Sequence, residues 1–271
     1  MLPTLEASGV ALFALSYDSV AVLRAFADKH GIAFPLLSDE GSHVIRRLGL
    51  INERVQEDHA AYGIKPDPRH SNLPYPGVFV LDESGVIVGK RFHESYRERD
   101  TGAALLAQTL RILEPDPGST AGAPDDPIQV SAWLDSSTYS FFQRMHLNVE
   151  LRMAPGLRVC APPAPDGMVP LTVHVSDIPG VEVGAVEWPS AQPSRVPGLD
   201  GLVSVHRGTI RGLVPLTFAA PPGRGDLTVA LTVGYQGCSD SERLPPSSVS
   251  VSLGIKELAM GDRTLPPSQG A

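Results

Sequence analysis

The chain has 271 residues, 42% of them hydrophobic and 19% charged, and its formal net charge is -8. Such a length can hold one large or two ordinary domains, each with its own hydrophobic core. The apolar runs are far too short for a membrane span, and an acidic chain without a basic stripe is not expected to bind nucleic acid.

The first 113 residues alternate short apolar runs with helical patterns, which predicts βαβ crossovers and a mainly parallel sheet. The predicted elements are, in order, a helix ending at Gly9, a buried strand over Val10–Leu15, a helix capped by Asp18 or Ser19, a strand over Phe34–Leu37, a short helix over Ser42–Leu48 and, after the hairpin below, a helix from Asp100 or Thr101 to Leu113.

A β-hairpin is predicted before that last helix. Val78–Leu81 and Val86–Val88 are rich in β-branched residues, and Asp82–Gly85 between them has the composition of a turn. Pro76 stands directly before the first strand, where its missing N–H costs no ladder bond, and it is a candidate for a cis peptide bond.

Leu50–Leu73, which precedes the hairpin, is a polar insertion without metal-ligand spacing. It is either a solvated loop or one wall of a pocket that Arg69, His70 and Tyr75 line. Both interpretations stay open.

A linker is predicted at 114–127 because proline and glycine dominate there. Residues 128–256 then alternate apolar and polar positions between proline- and glycine-rich turns, for example at Leu227–Val233, which predicts an all-β sandwich. Residues 257–271 are predicted to be a flexible tail.

The first part of the chain resembles the AhpC/TSA (peroxiredoxin, or redoxin) family. The residues that carry the resemblance are Gly9–Asp18, Phe34–Asp39 and Tyr75–Asp82 with Gly85. It implies an α/β thioredoxin-like domain over residues 1–113, with Pro76, Tyr75 and Arg69 on its substrate face. It also implies a bacterial thiol-dependent oxidoreductase that reduces peroxides or disulfides.

The resemblance covers only the later part of that family's domain. The family's nucleophilic thiolate lies in a loop after an early strand, a position upstream of Met1, and residues 1–126 contain no cysteine. We therefore expect this domain to be incomplete at its N-terminus and inactive or impaired as written. A degenerate scaffold is the alternative.

The two cysteines of the chain, Cys160 and Cys238, lie in the second half. They do not make a disulfide scaffold, and there is no C-x-x-C or His/Cys cluster spaced for zinc, so neither a metal nor a cofactor is expected.

Cys238 lies in a second motif, the Tyr-Gln-Gly-Cys stretch within Val233–Pro246, which ends in Pro-Pro. Together with Trp188-Pro189 and Pro215–Phe218, it resembles the immunoglobulin-like N-terminal domain of the DsbD thiol–disulfide interchange proteins, over residues 127–256. The resemblance implies a redox partner protein and a catalytic role for Cys238.

One departure from that family concerns the chemistry directly. Arg243 stands where the family has its second cysteine, and disulfide exchange within one domain needs a second sulfur to resolve the mixed disulfide. Cys160 is distant in sequence, and nothing in the sequence brings it near Cys238. Cys238 is either a reactive thiol whose pKa Arg243 lowers or an inert buried residue.

Two functions follow as hypotheses: a thiol-dependent oxidoreductase, or a non-catalytic scaffold that binds a partner protein. A hydrolase built on Asp67 and His70 lacks a G-x-S-x-G motif. The compartment also stays open, because the DsbD resemblance implies an extracytoplasmic site whereas no signal peptide is visible at Met1.

Overall fold

The computed structural model describes residues 2–57, 73–92, 99–100, 102, 105–110, 112, 119–121, 125–140, 143–219 and 223–258. The chain divides into two compact units. The first takes the described residues of 1–99 and 108–112, and the second takes those of 100–107 and 113–259. The domain boundaries proposed from the sequence stay predictions.

In its described residues, the first unit combines three helices with two small sheets. Its elements are α1 (Leu2–Ala7), β1 (Ala14–Ser16), α2 (Val20–His30), β2 (Leu36–Ser38), α3 (His43–Arg47), β3 (Gly77–Leu81) and β4 (Ile87–Phe92). Strands β1 and β2 are parallel, whereas β3 and β4 are antiparallel, so both predicted pairings are confirmed.

Side-chain and backbone caps set the ends of the helices. The Ser19 hydroxyl accepts a hydrogen bond from the Val22 N–H at 3.4 Å, and Gly31 ends α2 in the left-handed conformation. At α3, the Asp39 carboxylate accepts from the N–H groups of Val44 and Ile45. Burial acts to raise the pKa of Asp39, but these backbone hydrogen bonds outweigh it and lower the pKa.

The expectation of a buried first strand is wrong. The strand is shorter than predicted, and Phe13 and Leu15 are 57% and 39% exposed. Within the described residues, β1 pairs with β2 alone, and a two-stranded sheet cannot cover both of its own faces.

The hairpin forms as predicted, with Gly85 in the left-handed conformation at its turn. The Asp82 carboxylate holds the turn by accepting hydrogen bonds from the N–H groups of Ser84 and Val86, each at 2.9 Å. The cis prediction at Pro76 is wrong: the cis peptide bond in the described residues is Pro162–Pro163.

Two short elements lie near the division between the units. They are β5 (Arg99–Asp100) and a π-helical turn over Leu105–Thr109. The predicted α-helix from residue 100 to 113 is therefore wrong for the part that is described. Among the described helices, none has the length and hydrophobicity needed to cross a membrane.

The second unit is built almost entirely from strands. They are β6 (Ser119–Ala121), β7 (Ile128–Leu134), β8 (Thr138–Tyr139), β9 (Gln143–Met153), β10 (Arg158–Cys160), β11 (Thr172–Val175), β12 (Val181–Val183), β13 (Gln192–Ser194), β14 (Val203–Arg207), β15 (Thr209–Phe218), β16 (Leu227–Cys238) and β17 (Arg243–Glu257). Strand β6 falls inside the predicted linker, where it pairs with β7.

These strands form two sheets. One has the order β13-β14-β10-β16-β17-β8 with β11 also paired to β16, and the other runs β12-β15-β9-β7-β6. The main core takes alternate residues from both, including Leu147 and Val149 of β9 and Val229 and Leu231 of β16. This alternation is the pattern of a β-sandwich.

Gly212 makes close packing possible in this core. A Cβ atom at position 212 would lie 2.6 Å from the Trp188 ring, whereas one at Gly254 would meet nothing within 4 Å. Neither glycine has a positive φ angle that would itself exclude alanine.

We expect Gly212→Ala to lower the free energy of unfolding of the second unit by about 1–3 kcal/mol because of overpacking. Trp133 and Trp188, the two tryptophans of the chain, both lie in this unit, so fluorescence during urea titration follows it. Gly254→Ala is the matched control. Equal midpoints for the two variants would contradict the packing role of Trp188.

Glu257, at the end of β17, holds the loop before β16. Its carboxylate accepts hydrogen bonds from the N–H groups of Gly223 and Gly225, each at 2.5 Å. These bonds lower the pKa of Glu257 below its ordinary value of 4.5. The interaction therefore stabilises the fold above that ordinary pKa and is lost as pH falls through the lowered one.

We expect the urea midpoint of the wild-type second unit to fall between pH 7 and pH 3, partly because Glu257 takes up a proton. Glu257→Gln removes that charge and should make the midpoint less sensitive to pH over the same window. Tryptophan fluorescence at each pH measures it. An unchanged pH dependence in the variant would show that these hydrogen bonds contribute nothing.

Candidate thiol site

The two cysteines project from the same face of one sheet. Strands β10 and β16 are antiparallel neighbours, with Arg158 opposite Cys238 and Val159 opposite Gly237. Side chains alternate along a strand, so Arg158, Cys160 and Cys238 share a face. Both cysteines are completely buried and neither is in a disulfide. Cys160 and Cys238, which are 78 positions apart in sequence, are thus close in space.

This face is the outer one, away from the main core. Val159 and Tyr235, at alternating positions on the same strands, belong to the main core, whereas the cysteines belong to a separate small cluster. The other members of that cluster are Met168, Val196, Val203 and Val205, with Ala164 and Leu199 packed against them. The connections after β10 and β13 therefore cover the thiols.

Arg158 is the buried cation of the site, with 2% of its side chain exposed. One terminal nitrogen, Nη1, donates to the Asp240 carboxylate at 2.7 Å, and Nη2 donates to the carbonyl oxygens of Arg195 and Ser239 at 2.7 and 2.9 Å. Its Nε is buried and has no hydrogen-bond partner among the described residues. The guanidinium thus connects three segments of the chain beside the thiols.

Burial raises the pKa of Cys238 above its ordinary value. Arg158 opposes this rise through its charge and a side-chain hydrogen bond, and the charges of Arg207 and Arg243 oppose it further. Burial also raises the pKa of Cys160, as does the neighbouring Cys238, whereas Arg158 lowers it. At neutral pH both thiols are therefore held protonated beside a cation that favours the thiolate.

Arg243 lies directly opposite Cys238 on the β16–β17 hairpin, next to an irregularity in the ladder between Gln236 and Cys238. Its guanidinium extends over the covering connections: Nη1 lies 3.9 Å from the Met168 sulfur, and a Cβ at Gly198 would lie 3.3 Å from Nη2. Arg243 is thus near enough to Cys238 to lower its pKa, as one of the two interpretations of the sequence requires, but Arg158 has the larger effect on that pKa.

The rest of the Tyr-Gln-Gly-Cys motif holds this region in place. Gln236 accepts a hydrogen bond from the Val169 N–H at 3.0 Å and donates to the Leu244 carbonyl at 2.9 Å. It therefore ties the covering connection to the hairpin. Gly237 leaves room on the opposite face, where a Cβ would lie 2.8 Å from the Ile128 side chain.

A cavity of about 380 Å³ lies on that opposite side of the hairpin, lined by Tyr235, Gly237 and Pro245 among others. Since Gly237 and Cys238 face opposite sides of the sheet, this cavity gives no access to the thiols.

Two of the predicted substrate-face residues, Tyr75 and Pro76, lie in the described part of the first unit. Tyr75 and Pro76 are half-buried just before β3, and the Tyr75 N–H donates to the Leu50 carbonyl at 2.7 Å. Arg69 lies outside the described residues, as do Asp67 and His70. The substrate role of these residues stays a prediction.

Sequence reasoning did not find Arg158 or the proximity of Cys160. The alternation of Arg158-Val-Cys160 indicates a strand with two residues on one face, but nothing in the sequence shows which strand lies beside it. Among the described residues, no group of three or more His, Cys, Asp and Glu side chains is placed to hold a metal ion.

Comparisons with known proteins give one family match and one curated relative. Residues 1–90 match the AhpC/TSA family. Chloroplastic peroxiredoxin Q of Triticum aestivum is 27% identical over 107 residues, which is 40% of this chain and 40% of that protein. The match thus spans two fifths of the length of this curated relative. The predicted order of a redoxin-type region followed by a β-rich region is confirmed.

Two solved structures are similar to parts of the chain. The reduced N-terminal domain of DsbD from Neisseria meningitidis has 16% identity and a TM-score of 0.30, covering 41% of this chain and 78% of that one. The N-terminal periplasmic domain of ScsB from Proteus mirabilis has 15% identity and a TM-score of 0.35, covering 51% and 50%.

The ranking of the arginines can be tested in a Cys160→Ser background, where Cys238 is the single thiol. Arg158→Gln should raise the apparent pKa of Cys238 clearly, and Arg243→Gln should raise it less, because the charge of Arg158 and its hydrogen bond contribute most. The midpoint of the iodoacetamide rate against pH measures this pKa separately from access to the thiol.

Arg158→Lys, which keeps the charge, should give an intermediate value in the same measurement. Arg152→Gln on a surface-exposed side chain is the control and should leave the midpoint unchanged. A larger shift for Arg243→Gln than for Arg158→Gln would overturn the ranking.

Proposed function

We propose that this protein, whose residues 1–90 match the AhpC/TSA family, is a thiol-dependent oxidoreductase that exchanges disulfides with a partner protein through Cys238. The observation that carries the proposal is the position of Cys238 beside the buried guanidinium of Arg158. Cations adjacent to a thiol stabilise the thiolate, which is the form that attacks a disulfide.

Disulfide exchange fits these residues better than peroxide reduction in the redoxin-type region. The 271 residues contain two cysteines, and neither lies within residues 1–90. A thiol reaction of this chain therefore proceeds through the second unit, where Cys238 has three arginines that favour its ionisation. The redoxin-type region then contributes surface, with Tyr75, Pro76 and Arg69 as its proposed contacts with substrate.

The reaction requires that the cover over Cys238 opens. The buried thiol is protonated at rest, and the connections bearing Met168 and Val196 exclude water. A partner that displaces the exposed Arg243 side chain from Met168 and Gly198 would expose Cys238 while Arg158 stays in place. Exposure removes the cost of burying the charge, so the pKa of Cys238 falls on opening.

A non-catalytic, partner-binding scaffold is the second candidate function. It is favoured by the complete burial and raised pKa of both thiols, and by exposed apolar side chains of the first unit such as Phe13, Val22 and Phe26. In either role we propose an extracytoplasmic location, in line with the sequence resemblance of the second domain.

Reaction of the reduced, folded chain with the aromatic disulfide DTNB separates these functions. We expect the wild type to release the thiolate chromophore faster than its global unfolding rate, and Cys238→Ser to lose this fast phase. Cys160→Ser should keep the fast phase. It serves as the control for loss of a buried thiol.

Turnover is tested by the reduction of insulin disulfides with dithiothreitol as electron donor. The wild type should accelerate it over the uncatalysed background, and Cys238→Ser should return it to that background. If wild type and Cys238→Ser reduced insulin at equal rates, the oxidoreductase function would be contradicted. The partner-binding scaffold would then be the remaining candidate function.

A further inference from the structure

We propose that Cys160 is the resolving cysteine for Cys238, and that the two form a reversible disulfide between β10 and β16. The proposal rests on the exchange chemistry proposed above for Cys238. In this proposal the second sulfur lies on β10, and not at the position on β17 that Arg243 occupies.

The register of the sheet places the two thiols as diagonal neighbours. Cys238 lies opposite Arg158, and Cys160 follows two residues later on the same face of β10. Diagonal neighbours in an antiparallel pair have Cα atoms roughly 7–8 Å apart, with their Cβ atoms somewhat closer. A disulfide needs a Cα separation of roughly 4.4–6.8 Å, so closure requires a local shift of about 1 Å.

The ladder between β16 and β17 is irregular beside Cys238: one residue of β16, Gly237, lies opposite two residues of β17, Leu244 and Pro245. On the other side of the pair, β10 ends at Cys160. The bond would therefore form at the end of β10 and beside the bulge that β17 carries next to Cys238. A bulge disrupts the ladder locally, and the pairing of β10 with β16 ends at Val159 and Gly237, so closure would not break a continuous ladder on either side of β16.

The two thiols also share their surroundings. Both are completely buried in the same small cluster, and Cys238 contributes to the raised pKa of Cys160. Arg158 lowers the pKa of each, and its buried Nε has no partner among the described residues. The Arg158 guanidinium is thus placed to stabilise a thiolate on either Cys160 or Cys238.

The exchange balances with a partner disulfide as the oxidant. The Cys238 thiolate attacks one partner sulfur, the partner S–S bond breaks, and the released partner thiolate takes the proton that Cys238 lost. The Cys160 thiolate then attacks the Cys238 sulfur, breaking the mixed disulfide and releasing the second partner thiolate, which takes up the proton from Cys160. Two electrons pass from the cysteine pair to the partner, and the reverse sequence oxidises a partner dithiol.

A bond that needs a local shift to close is strained, and strained disulfides are easier to reduce than relaxed structural ones. Such a bond would be suited to reversible exchange. It would also fasten β10 to β16 beneath the covering connections, so its formation and reduction would change the packing around Met168 and Val196.

The test treats the reduced, folded full chain with diamide, which oxidises thiol pairs without a partner protein, and separately with oxidised glutathione. Intact mass and peptide mapping identify the products. With diamide, the wild type should lose two hydrogens and yield a peptide pair linked through Cys160 and Cys238. With glutathione, Cys160→Ser should accumulate the Cys238 mixed disulfide several-fold over wild type, because wild type resolves it.

Arg243→Cys in the Cys160→Ser background is the positive control for geometry. It places a cysteine directly opposite Cys238, where Cα atoms of paired residues lie roughly 4.5–5.5 Å apart, within the disulfide range. Diamide should oxidise this variant readily, which shows that the reagent reaches Cys238 in the folded chain.

The outcomes separate the two proposals. If wild type accumulates the Cys238–glutathione adduct as fully as Cys160→Ser does, Cys160 does not resolve it, although exchange at Cys238 stands. If the control oxidises and the wild-type pair does not, the Cys160–Cys238 bond is overturned. If Cys160→Ser forms no adduct at Cys238 but diamide joins the pair in the wild type, the bond is real and the exchange function fails.

Discussion

The buried guanidinium of Arg158 holds the thiol site together. Three of its hydrogen bonds reach Asp240 at the tip of the β16–β17 hairpin and the backbone of Arg195 and Ser239. They hold the hairpin and a covering connection against β10. Asp240 is 94% exposed, and the two carbonyl bonds therefore matter more to the retention of this charge than the ion pair does. The same group lowers the pKa of both cysteines.

Two separate packing environments follow from the alternation of side chains on β10 and β16. The inner face contributes Val159 and Tyr235 to the main core, while the outer face carries Cys160 and Cys238 under their own cover. The main core and the outer cluster have no residue in common, and the proposed exchange requires that the cover opens while the sandwich remains folded. Low stability of the cover relative to the core is the physical condition for exchange at a buried thiol.

The two units differ in how completely they bury their own apolar side chains. The second unit closes a core between two sheets, whereas the first exposes large apolar side chains such as Phe13, Val22 and Phe26 in the described part of the chain. This contrast explains why the apolar pattern of the first strand correctly predicted a strand but wrongly predicted that it is buried. A short apolar run records that a strand forms, and its burial depends on what other elements pack against it.

The sequence by itself determined the local features. Turn chemistry at Asp82 and Gly85 defines the hairpin, Ser19 and Gly31 bound α2, and alternation marks the strands of the sandwich, because each effect acts within a few residues. The family motifs also placed Arg243 next to Cys238. Tertiary structure decided the rest: which strand lies beside β16, and hence that Arg158 and Cys160 face Cys238, depends on strand order, and strand order is set by the packing of residues far apart in the chain.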